Sequence, residues 1–87
     1  MSDINRHKLQ LDYPCKWIYK IIGTDQGEMQ SAVSEIIQNR PYKVSLSRRS
    51  ETERYVSLSV ELIVESESHR VNLYLALKAH RAIKLVL

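Results

Sequence analysis

Three histidines, a single cysteine and ten carboxylates are the residues of this 87-residue sequence most able to do chemistry, and their spacing brings few of them together. His69 and His80 fall in what reads as one helix. Eleven residues at 1.5 Å each put them about 16 Å apart, too far for one zinc ion, whose nitrogen ligands sit at about 2 Å. His7 lies in a polar N-terminal stretch. Cys15 has no second thiol for a disulfide, a metal or a redox couple, and no pattern around it supplies the base that a nucleophilic cysteine needs. Ser45, Ser47, Ser57 and Ser59 alternate without the G-x-S-x-G turn that presents a catalytic serine. Gly23 and Gly27 are the only glycines, too few for a glycine-rich phosphate loop. Carboxylates such as Asp12, Asp25, Glu35, Glu61 and Glu67 are scattered and form no acid and base pair. The expectation is a protein with no catalytic residue, no metal and no cofactor.

Binding chemistry is easier to place. Lys20, Lys43, Arg48, Arg49, Arg54 and Tyr55 are basic or aromatic positions that one sheet face and its hairpin would gather, as a nucleic-acid surface would require. Tyr55 is the single aromatic there, so this reading stands second. The segment Gly23, Thr24, Asp25 and Gly27 opens a helix, and backbone N–H groups at that point suit a small anionic metabolite. In the second helix Val71, Leu75 and Ala79 form an apolar stripe about 160° from the stripe of Leu73 and Leu77. Only one of the two stripes can pack on a sheet, and the other fits a homodimer or a protein partner.

The elements that must hold these residues follow from periodicity. Tyr13-Pro14 marks an extended entry. Trp17 to Gly23 alternates as a first strand. Asp25 caps a helix over about Gln26 to Asn39, with Glu28 in capping-box position and Met29, Val33, Ile36 and Ile37 on its buried face. Arg40 suits its last turn and Pro41 stops it. Tyr42, Val44 and Leu46 make a second strand, and residues 48–54 a hairpin connection. Val56, Leu58, Val60, Leu62 and Val64 fall at every second position, which predicts a third strand with one apolar and one wet face. Ser66 or Ser68 caps a second helix running to about Arg81, and Ile83 to Leu87 closes the fold as a short strand. The wet face is expected to carry Lys20, Lys43, Ser45, Ser47, Tyr55, Ser57, Ser59 and Lys84, with Ile18, Ile22 and Val86. This order, βαββαβ, predicts an α+β ferredoxin-like domain, a four-stranded antiparallel sheet with two helices on one face. It spans residues 12–87 and follows a tail at 1–11.

Composition agrees with one small globular domain. Hydrophobic residues make up 44% and charged residues 26%, and 13 Lys+Arg against 10 Asp+Glu give a net charge of +3. No apolar run approaches the ~20 residues that cross a bilayer. The polar N-terminus lacks the apolar core of a signal peptide. A single cysteine fits a reducing compartment, and a cytoplasmic protein without a membrane contact is expected.

Tyr13-Pro14-Cys15 with Trp17, the run Tyr19-Lys20-Ile21-Ile22-Gly23, the pair Leu73-Tyr74 with Leu77, and the ending Lys84-Leu85-Val86-Leu87 resemble the YbeD-like family, short bacterial proteins of unknown function. The resemblance covers about residues 11–87. It implies a ferredoxin-like sandwich similar to the ACT regulatory domain, and with it a regulatory or adaptor role. ACT domains pair through sheets or helices and bind small ligands at the interface, commonly beside a glycine after the first strand. Gly23 stands at that place, although Thr24-Asp25-Gln26 does not reproduce a ligand signature.

Overall fold

The structure, a computed structural model, describes residues 11–49 and 54–87. The tail expected over 1–11 falls outside them except for Leu11, as do residues 50–53 of the hairpin connection expected over 48–54. Strand β1 (Cys15–Gly23) leads to helix α1 (Gln26–Ile37), strands β2 (Tyr42–Arg49) and β3 (Val56–Val64), helix α2 (Glu67–Ala79) and strand β4 (Leu85–Val86). The four strands form one sheet in the order β2-β3-β1-β4, and every neighbouring pair is antiparallel. This is the ferredoxin-like α+β arrangement expected from the periodicity.

The core lies between the sheet and the two helices. Every aliphatic at positions 56, 58, 60, 62 and 64 is buried, as are Tyr19 and Ile21 of β1. Alternation produces this: β1 and β3 pair over their full length, from Cys15 with Val64 to Gly23 with Val56, so core residues of one strand lie beside core residues of the other. Met29, Ala32, Val33 and Ile37 of α1, and Leu73 and Leu77 of α2, close the core from above. Burial of these side chains is the main favourable term in a domain this small.

Both helices start where a cap was expected. The Asp25 carboxylate accepts the Glu28 N–H at 2.9 Å, and Ser66 Oγ accepts the His69 N–H at 3.1 Å. Both end short of the predicted Asn39 and Arg81. α1 stops at Ile37 because Gln38 turns to a φ of 66°, while its N–H still reaches the Ser34 carbonyl at 2.9 Å. Arg40 therefore lies beyond the last turn and instead meets Glu65 at 2.9 Å. α2 ends at Ala79, where His80 takes an extended conformation.

The other corrections concern β2 and β4. Leu46 keeps the core-side parity, opposite Leu58, yet is 51% exposed. It lies near the free end of an edge strand. The register between β2 and β3 shifts there, because Leu46 pairs with Leu58 and Arg48 with Ser57, which leaves Ser47 as an extra residue. In β4, Ile21 pairs with Val86 and Ile22 with Leu85. Val86 is thus a core residue at 7% exposure, not a residue of the wet face. Leu85 and Leu87 alternate with it onto the wet face, and Lys84 lies just before β4, exposed, with its N–H donating to the Ile22 carbonyl at 2.7 Å.

Candidate functional site

The outer face of the sheet is built from the positions that alternate with the core. β1 contributes Lys16, Ile18, Lys20 and Ile22, and the register sets Ile63, Glu61, Ser59 and Ser57 of β3 beside them. On the other side of β1, Leu85 lies opposite Ile22. Leu87 exchanges backbone hydrogen bonds with Lys20, donating at 2.8 Å and accepting at 3.4 Å. Ile63, Ile18, Leu87, Leu85 and Ile22 consequently run diagonally across three strands as one apolar stripe. Ile18 is 55% exposed and Leu87 66%. Cations flank the stripe. Lys16 pairs with Glu61 at 3.5 Å, while Lys20 and Lys43 are exposed on the same face.

Of the residues expected to bind nucleic acid, the structure brings Lys20 and Lys43 to this face, two strands apart. Tyr55 shares their parity just ahead of β3 and is exposed. Arg48 and Arg49 end β2 opposite Ser57 and Val56, and Arg54 precedes β3 on the far side of the connection. The two central strands present Ile18, Ile22, Ile63, Glu61, Ser57 and Ser59 where stacking aromatics would be needed.

The segment from Gly23 to Gly27 has a different character from the one its sequence implied. Gly23 is buried, and a Cβ there would sit 2.6 Å from the Ala82 carbonyl and 2.8 Å from Met29 Sδ. The glycine lets the segment before β4 cross over β1; its empty side is filled by protein. The Asp25 carboxylate already occupies the start of α1, and its negative charge opposes an anion there. Asp25 and Gly27 instead line an open groove of about 730 Å³ between α1 and the end of α2, with Glu28, Glu35, His80 and Arg81. In that groove His80 Nδ1 accepts the Ala82 N–H at 3.1 Å, and its Nε2 faces Glu35 Oε1 at 3.2 Å. The ring therefore donates through Nε2 and ties α1 to the loop after α2.

Val71, Leu75 and Ala79 lie together on the exposed side of α2, as their spacing implied. On its inner side the helix holds a cluster that sequence reasoning missed, centred on Arg70. The guanidinium lies 4.8 Å from the centroid of the Trp17 ring, and its Nε donates to the Tyr13 hydroxyl at 3.1 Å. The Tyr19 hydroxyl donates to the Arg70 carbonyl. Burial pushes Tyr19 up to about 12, against the pull of the Arg70 charge, which lowers it. The bond to Tyr13 raises Arg70 above the usual arginine value. An arginine in a helix reads as a solvated charge, so only Trp17 and the tyrosines two to four residues on either side of it hinted at a partner. His69 is likewise structural, its Nδ1 accepting the Glu65 N–H at 2.9 Å. Cys15 is half-buried and its thiol is free. Among the described residues no three His, Cys, Asp or Glu side chains converge to hold a metal ion, and no helix is long and apolar enough to cross a membrane.

Residues 8–87 match the family described as "Protein of unknown function (DUF493)". The chain belongs to this family. A UPF0250 protein of Hahella chejuensis is 30% identical over 91 residues, covering 100% of both chains. Another from Buchnera aphidicola is 30% identical over 86 residues, 95% of this chain and 98% of the relative. Among solved structures, the solution structure of protein HP0495 from H. pylori superposes with a TM-score of 0.82 at 21% identity, over 100% of this chain and 96% of that one. That likeness establishes the shared fold of this DUF493 chain. The resemblance to short bacterial proteins of unknown function is thereby a membership.

Proposed function

We propose that this DUF493 protein acts by binding rather than by catalysis, as a regulatory or adaptor module, and that the open sheet face docks an acidic protein partner. The observation that carries the reading is the diagonal stripe from Ile63 through Ile18 and Leu87 to Leu85 and the half-buried Ile22, whose first four members are exposed, bordered by Lys20 and Lys43. Exposed apolar surface of this extent on a small domain marks an interaction site, and the lysines select a partner of opposite charge. On this face Lys16, Lys20 and Lys43 outnumber Glu61, so a second copy stacked there would meet a surface of like net charge. A phosphate backbone would be drawn by the lysines, but it gains nothing from the aliphatic stripe and finds no aromatics on this face of the central strands to stack its bases. A metabolite in the Gly23 to Gly27 segment has less support, because Gly23 is filled by Ala82 and Asp25 occupies the helix start. The groups most able to do chemistry, His69, His80, Arg70 and Tyr19, are each engaged in holding helices in place.

The test is capture of bound proteins by the natural chain and by two variants that leave the core untouched: Ile18→Ser with Leu85→Ser, and Lys20→Glu with Lys43→Glu. An acidic protein held by the natural chain and lost by at least tenfold in both variants supports the reading. Retention by both variants, or capture of RNA whose affinity falls steeply with salt, rules it out.

A further inference from the structure

The outward side of α2 carries a pattern that the sheet does not. Ser68, Val71, Asn72, Leu75, Ala76 and Ala79 are all exposed, and none is charged. Leu75 is 52% exposed. At 3.6 residues per turn these positions fill an arc of roughly 140° on the side away from Leu77. Glu67 and Lys78 border the arc on the same flank, one in the first turn and one in the last. Lys78 leans along that flank, its Nζ 5.8 Å from the Tyr74 ring centroid.

We infer that α2 packs against α2 of a second copy of this chain, antiparallel about a two-fold axis beside residue 73. Charge complementarity is what selects this occupant. In an antiparallel pair each flank meets the same flank of its neighbour. Val71 of one copy then meets Leu75 of the other, and Ser68 meets Ala79, small enough to let the helix ends close up. Glu67 of each copy reaches Lys78 of the other, so one pairing is made twice. A parallel pair would set that flank against the opposite flank of its neighbour and lose both contacts. Opposed helix dipoles favour the antiparallel arrangement as well. The open sheet face lacks this self-complementarity, and the two surfaces lie on opposite sides of the domain, so a dimer leaves the sheet free for its partner. One helix pair buries less than the roughly 1,200–2,000 Å² of a stable interface. The dimer is accordingly weak, with a dissociation constant on the order of 100 µM.

Sedimentation equilibrium of the full chain from about 10 to 1,000 µM tests this. The expected result is a reversible monomer–dimer equilibrium. Leu75→Asp abolishes it while circular dichroism stays unchanged. Glu67→Lys weakens it roughly tenfold and Lys78→Glu does the same, since each alters two pairings at once. The double variant Glu67→Lys with Lys78→Glu restores the natural affinity to within about threefold. A monomer throughout the range overturns the inference. So does a dimer indifferent to Leu75→Asp, or a double variant no better than either single one.

Discussion

Single side chains decide two features of this fold. Gly23 is required because the Ala82 carbonyl and Met29 Sδ leave no room for a Cβ. Gly23→Ala is expected to destabilise the protein by about 1–3 kcal/mol through overpacking, measured by urea unfolding. Tyr19 matters through its proton. It is 2% exposed, and its hydroxyl holds its proton up to about pH 12, whereas in the unfolded chain it ionises near 10. Between those values the unfolded state binds fewer protons, so stability falls as pH rises, by up to about 2–3 kcal/mol, and is fully present below about pH 10. Tyr19→Phe should lose about 1 kcal/mol at pH 7 with its bond to the Arg70 carbonyl and should show a flatter decline from pH 10 to 12. Equal slopes in the two proteins would refute the assignment.

At the scale of elements, most of this architecture was legible because each element repeats its own period. The row from Val56 to Val64 alternates without exception, and every member is buried. Asp25 announced the first helix start, and Ser66 or Ser68 the second, of which the structure uses Ser66. Legibility failed where pattern gave no contrast. Residues 83–87 are aliphatic at four of five positions, so the sequence could not tell which parity of β4 faces the core, and only pairing with Ile21 and Ile22 settles it. The stop of α1 was hidden too, because Gln38 adopts a conformation that favours glycine. Gln38→Gly is expected to raise stability by about 1 kcal/mol by relieving that backbone, read as a shift of the urea midpoint at constant slope. The binding surfaces were half legible. Val71 and Leu75 showed themselves as a surplus stripe, whereas the diagonal on the sheet needed the β1–β4 register.

At the scale of the whole molecule, the two exposed surfaces are proposed to do different work. The sheet face carries exposed Lys20 and Lys43, which fit an acidic partner, and α2 carries Glu67 and Lys78, which fit a second copy. Affinity for an acidic partner should therefore decline as salt rises, because Lys20 and Lys43 act at the surface. Raising salt from about 0.05 to 0.5 M should weaken capture by the natural chain and leave the Lys20→Glu, Lys43→Glu variant nearly unaffected; a salt-independent natural interaction would place the partner elsewhere.

The extra residue at Ser47 has an implication for solubility. β2 borders the sheet, and a straight border strand is a template on which further chains can add themselves without limit. A bulge kinks the strand and strengthens its local twist, and Lys43 sets a charge on the same margin. Deleting Ser47 would let Leu46 and Arg48 follow one another in unbroken register opposite Leu58 and Ser57 and straighten that margin. The shortened protein should then form thioflavin-positive fibres on warming sooner than the natural one.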